Sequence, residues 1–264
     1  MPYNILVTND DGILSPGIQA LAESLRRLGK VTVVAPSQER STTGHSLTLH
    51  KPIRLEPLKP GYYSINGTPA DCAYLAIKKL FRKKTLDLVV SGINRGPNLG
   101  NDIHYSGTVA AAREATFLKI PSIAISLDYS SDKDNGMDFH VAAEIAYFIA
   151  ELALKKGIPP QVLLNVNVPN IPARDIRGIK IVKSGFRYYA DSIIEQKDPR
   201  GKNYYWLGGK YLGYDKIEDT DCKAVDHKYV SITPLHIDAT HHLTLNKLKK
   251  WRFNTVYEKI KKTV

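Results

Sequence analysis

Residues 5–17 read "ILVTNDDGILSPG", and this stretch indicates both a fold and a site. An apolar, β-branched run with the character of a buried strand stops at Asn9, and Asp10, Asp11 and a glycine follow at once. Two adjacent carboxylates repel each other, so a compensating charge is needed if both are ionised. "DDG" is also ordinary turn or helix-cap chemistry, and the pair taken alone favours that simpler interpretation. Whether the pair belongs to a site therefore depends on what the neighbouring strands place beside it.

Short apolar runs alternate with helical patterns over the first 170 residues. The predicted strands cover residues 3–9, 31–36, 86–92, 122–126 and 162–169, and the predicted helices cover 17–29, 68–83, 106–119 and 139–157. We expect Gly29 and Gly157 to end the first and the last of these helices in a left-handed conformation. Apolar strands separated by helices are typical of a parallel sheet covered on both faces. The sequence therefore predicts an α/β fold with a doubly wound, mostly parallel sheet in residues 1–170.

Residues 171–264 have a different character. Tyrosine- and glycine-rich runs on either side of "DPRG" (198–201) predict a β-hairpin, residues 227–240 contain another strand, and a basic helix begins near Leu243. A hairpin and a terminal helix bury little surface by themselves, so we expect them to pack on a second subunit. We predict that residues 171–264 form a C-terminal extension used in oligomerisation.

The composition is typical of a globular chain with excess positive charge. The 264 residues are 43% hydrophobic and 24% charged, which is enough for a sizeable core. A net charge of +11 favours acidic partners without choosing among phosphate compounds, nucleic acid and membrane surfaces. The sequence has neither an apolar run of the roughly 18 residues that span a membrane nor a secretory signal, so we expect a cytoplasmic protein. Cys72 and Cys222 belong to no paired motif, which argues against disulfides and structural zinc.

Oxygen-bearing side chains follow three of the predicted strands. These strand endings read "TNDDG", "APSQERSTTGHS" and "SGINRGPNLGND". Ligands of open parallel sheets bind beyond the carboxyl ends of the strands, where these three segments would meet. A divalent cation offsets the electrostatic repulsion between two neighbouring carboxylates, and it prefers oxygen ligands. We therefore predict a metal site at Asp10 and Asp11, with Ser41 and Asn94 as candidates to complete it.

The stretch "DIHYSGTVAAAREA" (102–115) predicts an anion site. Ser106, Gly107 and Thr108 begin an alanine-rich helix, so free backbone N–H groups and two hydroxyls would face a phosphate. An ordinary Ser/Thr helix cap is the alternative interpretation. A metal site beside such a helix start is the arrangement expected for metal-assisted phosphoryl hydrolysis.

Weaker signals surround this pair of sites. "NGTPADC" (66–72) has the pattern of a loop and a capped helix start, and a substrate role for its polar residues is an open alternative. His45 and His104 are candidate proton donors. The fingerprints G-x-G-x-x-G after the first strand, G-x-x-x-x-G-K-[ST] and G-x-S-x-G are absent, which argues against dinucleotide-dependent oxidoreductases, P-loop NTPases and α/β-hydrolases.

Taken together, these motifs resemble the SurE family, the stationary-phase survival proteins that act as metal-dependent 5'- and 3'-nucleotidases. "ILVTNDDGILSPGI", "VVAPSQERSTTGHSLT", "NGTPADC" and "DLVVSGINRGPNLGNDIHYSGTVAAAREA" occur in family order, and "YYWLGG" and "YVSITPLH" extend the likeness toward the C-terminus. The resemblance implies a Rossmann-like catalytic domain at residues 1–170. It also implies that residues 171–264 exchange elements between the subunits of a homodimer or homotetramer.

The resemblance further implies a ligand set and a reaction. One divalent cation per subunit, Mg2+ or Mn2+, would be held by Asp10, Asp11, Ser41 and Asn94, and the two aspartates would be the catalytic residues. Asn98, Ser106, Gly107 and Thr108 would bind the phosphate. The expected reaction is hydrolysis of nucleoside 5'- and 3'-monophosphates to nucleoside and phosphate, and also of short polyphosphate. Attack by water and attack by an aspartate are both open at this point.

Two other interpretations have distinct consequences. A non-enzymatic nucleic-acid-binding protein would explain the net charge of +11, and it predicts strongly salt-dependent binding without phosphate release from AMP. An aspartyl-phosphate phosphatase of another α/β class would explain carboxylates after the first strand, but "NDDG" lacks the D-x-D pattern of such enzymes. If the chain is a nucleotidase, we expect no stable complex with nucleic acid.

Overall fold

The alternating strands and helices form one nine-stranded sheet in the computed structural model, which describes residues 2–129, 136–261 and 263. The strands are β1 (Tyr3–Thr8), β2 (Gly29–Pro36), β3 (Leu55–Lys59), β4 (Tyr62–Ile65), β5 (Leu88–Arg95), β6 (Ser122–Asp128), β7 (Val162–Pro169), β8 (Ile179–Ile181), β9 (Arg187–Tyr189), β10 (Ser192–Lys197), β11 (Asn203–Gly208), β12 (Tyr211–Tyr214) and β13 (Val230–His236). The α-helices are α1 (Pro16–Leu25), α2 (Pro69–Leu75), α3 (Gly107–Phe117), α4 (Phe139–Lys156), α5 (Asp221–Asp226), α6 (His242–Leu248) and α7 (Phe253–Lys261). A π-helical turn, Ala76–Leu80, extends α2, and a 3-10 helix, Gly100–His104, precedes α3.

The strand order places a crevice beside β1. The sheet runs β3-β4-β2-β1-β5-β6-β7-β13-β8, and the six strands from β4 to β7 in this order are parallel. From β1 the chain moves outward to β2 on one side and then returns to β5 on the other side. This reversal of direction between β1 and β5 is the point at which open α/β sheets bind ligands. The predicted doubly wound, mostly parallel α/β fold is confirmed.

Alternate residues of β1 supply the two halves of the core. Ile5 and Val7 pack into the apolar layer that holds α1 and α4, whereas Leu6 packs into the layer that holds α2 and part of α3. All three side chains are fully buried. Because successive side chains of a strand point to opposite faces, this run requires helices on both faces of the sheet.

The glycines after the first and last predicted helices have different roles. Gly157 follows α4 with a positive φ of +81°, but its ψ of +148° lies outside the left-handed helical region that we predict for it. The prediction for Gly29 is wrong, because α1 ends at Leu25 and Gly29 begins β2. A Cβ atom on Gly29 would lie 2.1 Å from the carbonyl oxygen of Tyr3, so the glycine lets β2 start close against β1.

The C-terminal part contributes to the sheet and also projects from it. β13 pairs antiparallel with β7, and β8 pairs parallel with β13. β10 and β11 form the predicted hairpin around residues 198–201, and β9 pairs with β12. Arg252, with a φ of +51°, separates α6 from α7 in the predicted basic helix, whose Lys262 lies outside the described residues. The division of the chain at residue 170 and the exchange of elements between subunits stay predictions.

Within the described residues, no helix combines the length and the apolar character needed to cross a membrane.

Candidate active site

The carboxyl ends of the parallel strands and the C-terminal part of the chain enclose one cleft of about 900 Å3. Among the residues predicted for the site, Asp10, Ser41, Asn94, Asn98 and Ser106 line this cleft. Its other lining residues are Thr42, Arg95, Asn101, Asp102, Tyr105, Tyr189, Ala190, Asp191, Ser192, Ile193, Leu207, Gly208 and Gly209. The structure thus brings these five predicted residues to the crevice between β1 and β5, whereas Asp11, Gly107 and Thr108 are not among its lining residues.

Asp10 follows β1 directly and is the most deeply buried acid of the cleft lining, with 4% of its surface exposed. The hydroxyl of Thr108 donates a hydrogen bond to Asp10 Oδ1. Gly107 packs against the same side chain, since a Cβ atom at Gly107 would lie only 2.7 Å from Asp10 Cβ. Burial raises the pKa of Asp10 to about 6, against the lowering effect of the Thr108 hydrogen bond and with a smaller raising effect from Asp11. The start of α3 therefore fixes the position of this carboxylate.

Asp11 is held by Arg95 at the end of β5. The backbone N–H of Arg95 donates to Asp11 Oδ2 at 3.0 Å, and Nε of Arg95 donates to Oδ1 at 3.2 Å. Nη2 of the same guanidinium lies 3.0 Å from Oε2 of Glu39. Burial raises the pKa of Asp11, and Arg95 opposes this shift. Asp11 therefore has a cationic neighbour, whereas Asp10 forms no ion pair with any described residue.

Asn94 and Ser41 present neutral oxygens to the cleft. The amide nitrogen of Asn94 donates to the carbonyl oxygen of Gly96 at 2.8 Å, so its amide oxygen is the atom left for a ligand. The exposed hydroxyl of Ser41 donates to Glu39 Oε1 at 2.6 Å. Ser41 thus reaches the cleft from the segment after β2, and Asn94 reaches it from β5.

The donor atoms at this end of the sheet suit a hard divalent cation. Carboxylate, amide and hydroxyl oxygens are the ligands that Mg2+ and Mn2+ prefer, and Asp10 is a buried carboxylate without a cationic partner among the described residues. No group of three or more His, Cys, Asp and Glu side chains that could hold a metal occurs in the described part of the chain. A cation here would depend on two carboxylates supplemented by neutral oxygens.

The start of α3 offers hydrogen-bond donors to the cleft. Ser106 caps the helix, with its Oγ accepting from the backbone N–H of Val109 at 3.0 Å, and its own O–H remains a donor. The backbone N–H groups of Gly107 and Thr108 belong to the first turn, where helices leave N–H groups without an internal partner. The Thr108 hydroxyl, predicted to face phosphate, instead donates to Asp10. Thr108 can therefore reach an anion only with its backbone.

Asn98 is fixed by a buried polar network. Its backbone N–H donates to Asn167 Oδ1 at 2.7 Å, and its Nδ2 donates to Ser126 Oγ at 2.7 Å. Its carbonyl oxygen accepts from the side-chain amides of Asn165 and Asn167. An amide nitrogen carries two hydrogens, so Asn98 retains one N–H for a ligand in the cleft.

Among the remaining predicted candidates, His45, Thr68 and Asp71 have structural contacts. Nε2 of His45 lies 2.8 Å from Glu114 Oε2, and its ring stacks on Phe117 with centroids 5.4 Å apart. In "NGTPADC", Thr68 and Asp71 form a capping box at the start of α2. Neither histidine candidate and none of these motif residues is among the lining residues of the cleft.

β9 and the adjoining hairpin provide a part of the cleft that no sequence motif predicts. The guanidinium of Arg187 pairs with Asp102 at 2.5 Å, and the Arg187 backbone N–H donates to Asn101 Oδ1 at 2.7 Å. These contacts bring Tyr189 into the cleft lining. They join residues more than 80 positions apart, which no local pattern reveals.

Comparisons with known proteins show which proteins this chain is similar to. Residues 5–191 match the family described as "Survival protein SurE". The 5'-nucleotidase SurE of Syntrophotalea carbinolica is 48% identical over 247 residues, covering 94% of this chain and 96% of that protein. The protein of the same name from Geobacter sulfurreducens is 49% identical over 248 residues, covering 94% and 93%. The crystal structure of the SurE protein from Aquifex aeolicus has a TM-score of 0.83 at 43% identity, covering 94% of this chain and 99% of that one. The chain therefore belongs to the SurE family.

Proposed function

We propose that this chain is a metal-dependent 5'-nucleotidase that hydrolyses nucleoside monophosphates to nucleoside and phosphate. Relatives named 5'-nucleotidase SurE, which match about 94% of the chain, support this activity. The observation that carries the proposal is Asp10, a buried carboxylate without a cationic partner among the described residues, in contact with the helix start that would bind phosphate. The same cleft thus holds a place for a cation and a place for an anion.

The proposed ligands of one divalent cation, Mg2+ or Mn2+, are Asp10, Asp11, Ser41 and Asn94. Their oxygen atoms fit a hard cation, and three of the four line the cleft. When bound, such a cation polarises a phosphate oxygen and lowers the pKa of a coordinated water. Thr108 holds the carboxylate of Asp10, and Arg95 holds that of Asp11.

The proposed phosphate-binding residues are Asn98, Ser106, Gly107 and Thr108. The Ser106 hydroxyl, the remaining amide N–H of Asn98 and the first backbone N–H groups of α3 donate hydrogen bonds to phosphate oxygens. The positive end of the helix dipole favours the same anion. These donors are in place before the reaction, so they stabilise the charge that the phosphoryl oxygens carry as the ester bond breaks.

We assign the attack on phosphorus to water, with Asp10 and Asp11 as residues that hold and orient the reacting groups. The alternative is attack by an aspartate, which gives an aspartyl-phosphate. Rapid acid quenching during turnover, followed by peptide mass analysis, separates the two routes. Phosphate bound to Asp10 or Asp11 would contradict attack by water.

The remaining family properties are proposed for this chain on the resemblance alone. They are hydrolysis of nucleoside 3'-monophosphates and short polyphosphate, a cytoplasmic location, and a homodimer or homotetramer that exchanges C-terminal elements. The exposed apolar side chains Ile194 and Trp206 of the hairpin, which do not line the cleft, support a subunit interface.

A screen of phosphate release tests the function. We expect the purified chain to release phosphate from nucleoside 5'-monophosphates with Mg2+ or Mn2+ and not with EDTA. Asp175, an exposed carboxylate outside the cleft lining, provides a control, because Asp175→Asn should behave as the parent. Salt-dependent binding of RNA or DNA without phosphate release under any of these conditions would instead support a nucleic-acid-binding protein.

A further inference from the structure

The cleft continues beyond the proposed phosphate residues to a wall that the C-terminal part of the chain provides. This wall contains Tyr189, Ala190, Ile193 and Leu207, and Tyr105 lines the same cleft from the segment before α3. The phosphate end of the cleft is polar, whereas the wall combines these aromatic and aliphatic side chains with Asp191 and Ser192. The two ends therefore suit different parts of one ligand, an anion at one end and a flat, uncharged group at the other.

The ring of Tyr189 is held in place from two directions. Its hydroxyl donates to Asp102 Oδ2 at 2.5 Å, and its ring lies against that of Tyr211, with centroids 5.7 Å apart. Arg187 supports both groups, because its guanidinium pairs with Asp102 at 2.5 Å and lies 4.4 Å from the centroid of Tyr211. Tyr189 still has 41% of its surface exposed. A fixed ring with an accessible surface binds a flat ligand at a small cost in conformational entropy.

The charges of the cleft indicate the orientation in which the ligand binds. The guanidinium of Arg187 already pairs with the Asp102 carboxylate, and the Asp191 carboxylate also lines the wall, so a phosphate dianion meets no net positive charge there. The start of α3, by contrast, favours a dianion. An uncharged aromatic base near Tyr189 is not repelled by these carboxylates. A nucleotide therefore fits with its phosphate at Ser106 and its base at the wall.

We propose that Tyr189 is the platform on which the nucleobase of the substrate stacks, with Asp102 and Arg187 as positioning residues that fix its ring. This inference rests on the proposed nucleotidase activity and assigns the nucleoside part of that site. Stacking is available to every base, so the platform raises affinity for nucleotides in general and selects weakly among bases. The C-terminal part of the chain then contributes to substrate binding.

The test compares a substrate that carries a base with one that does not. We expect Tyr189→Ala to raise KM for 5'-AMP by about 5- to 100-fold, since loss of one stacked base costs about that factor, with kcat nearly unchanged. KM for ribose 5-phosphate should stay at the parent value. Tyr189→Phe keeps the ring but loses the hydroxyl that Asp102 holds, so it should raise KM for 5'-AMP less than Tyr189→Ala does. Asp102→Asn, which disturbs the same contact, should raise this KM to a similar extent as Tyr189→Phe, and neither should lower kcat.

Tyr205→Ala is the matched control, because Tyr205 is an exposed tyrosine of β11 that does not line the cleft. It should leave both substrates unaffected. Equal changes of KM for 5'-AMP and ribose 5-phosphate in Tyr189→Ala, or no change for either, would overturn the platform. Adenosine should also inhibit the parent more strongly than Tyr189→Ala, and equal inhibition would overturn it as well. A parent protein that hydrolyses neither ester would instead contradict the proposed function.

Discussion

At the residue scale, the central feature is a buried carboxylate at the end of a buried strand. Asp10 accepts a hydrogen bond from Thr108, but no described residue forms an ion pair with it. A buried charge without a partner is costly, so the ionised Asp10 carboxylate lowers the free energy of unfolding of the metal-free protein. A cation bound at Asp10 would remove that cost, which links stability to function at this residue.

This cost predicts a pH dependence. The pKa of Asp10 is raised from 3.8 to about 6, so the folded state binds a proton more tightly than the unfolded state does. The resulting stabilisation is fully present below about pH 3.8 and is lost as the pH rises through about 6. By proton linkage it amounts to about 3 kcal/mol. Urea unfolding in EDTA should therefore show that Asp10→Asn gains stability relative to the parent between pH 5 and pH 7.5. A difference between the two proteins that does not change with pH would contradict this account.

Thr108 allows an isosteric test of the same site. Thr108→Val removes the hydroxyl that donates to Asp10, whereas Thr108→Ser retains it. We expect Thr108→Val to weaken Mn2+ binding by about 10- to 100-fold, the usual effect of losing a hydrogen bond that orients a metal ligand. Thr108→Ser should bind Mn2+ nearly as the parent does. Calorimetric titration with Mn2+ measures both variants, and equal affinities would show that the hydroxyl does not orient the ligand.

At the element scale, the segments that are easy to predict are those with a strong local pattern. The five apolar strands and four helices of residues 3–169 are present, with shifts of a few residues at their ends. β3 and β4 were not predicted, because Pro57, Pro60 and Gly61 interrupt that stretch and give it the composition of a loop. Tyr189 was not identified as part of the cleft, since its position depends on the ion pair between Arg187 and Asp102.

The structure also gives "NGTPADC" a role that its spacing left open. The carboxylate of Asp71 accepts from the backbone N–H of Thr48 at 2.9 Å, the Thr48 hydroxyl at 2.6 Å and the backbone N–H of Thr68 at 2.8 Å. Asp71 is 3% exposed. Asp71 therefore links the start of α2 by hydrogen bonds to the segment that follows Ser41.

We expect Asp71→Ala to lower the free energy of unfolding by about 2 to 4 kcal/mol, because it leaves three half-buried donors without an acceptor. Hydrogen exchange should also become faster at the backbone N–H of Thr48. Asp175→Asn, at an exposed carboxylate, is the control and should leave both quantities unchanged. Unfolding of Asp71→Ala at the parent's urea midpoint would show that this carboxylate does not stabilise the fold.

At the scale of the whole molecule, apolar surface is concentrated in the C-terminal part of the chain. The side chains Phe253, Val256, Tyr257 and Ile260 of α7 recur at helical spacing, and all are more than half exposed. An amphipathic helix with an uncovered apolar face is typical of a subunit interface. This supports the proposed oligomer, in which the tail packs on a second copy.

The paired substitution Val256→Glu and Ile260→Glu should weaken the oligomer, because it places charge on that apolar face. Light scattering coupled to size exclusion should then give a lower mass than that of the parent. Asn254→Glu with Thr255→Glu adds the same charge to exposed polar positions of the same helix and serves as the control. A paired variant with the mass of the parent would contradict a role of α7 in assembly.

The most direct test of the central claim is phosphate release from 5'-AMP with Mn2+ by the parent, Asp10→Asn and Asp175→Asn. We predict that the parent and Asp175→Asn release phosphate at similar rates and that EDTA stops both. Asp10→Asn should lose at least about 100-fold in rate, since residues that merely orient metal ligands already cost about 10- to 100-fold. Asp10→Asn with the activity of the parent, or undiminished release by the parent in EDTA, would contradict a metal-dependent site at Asp10.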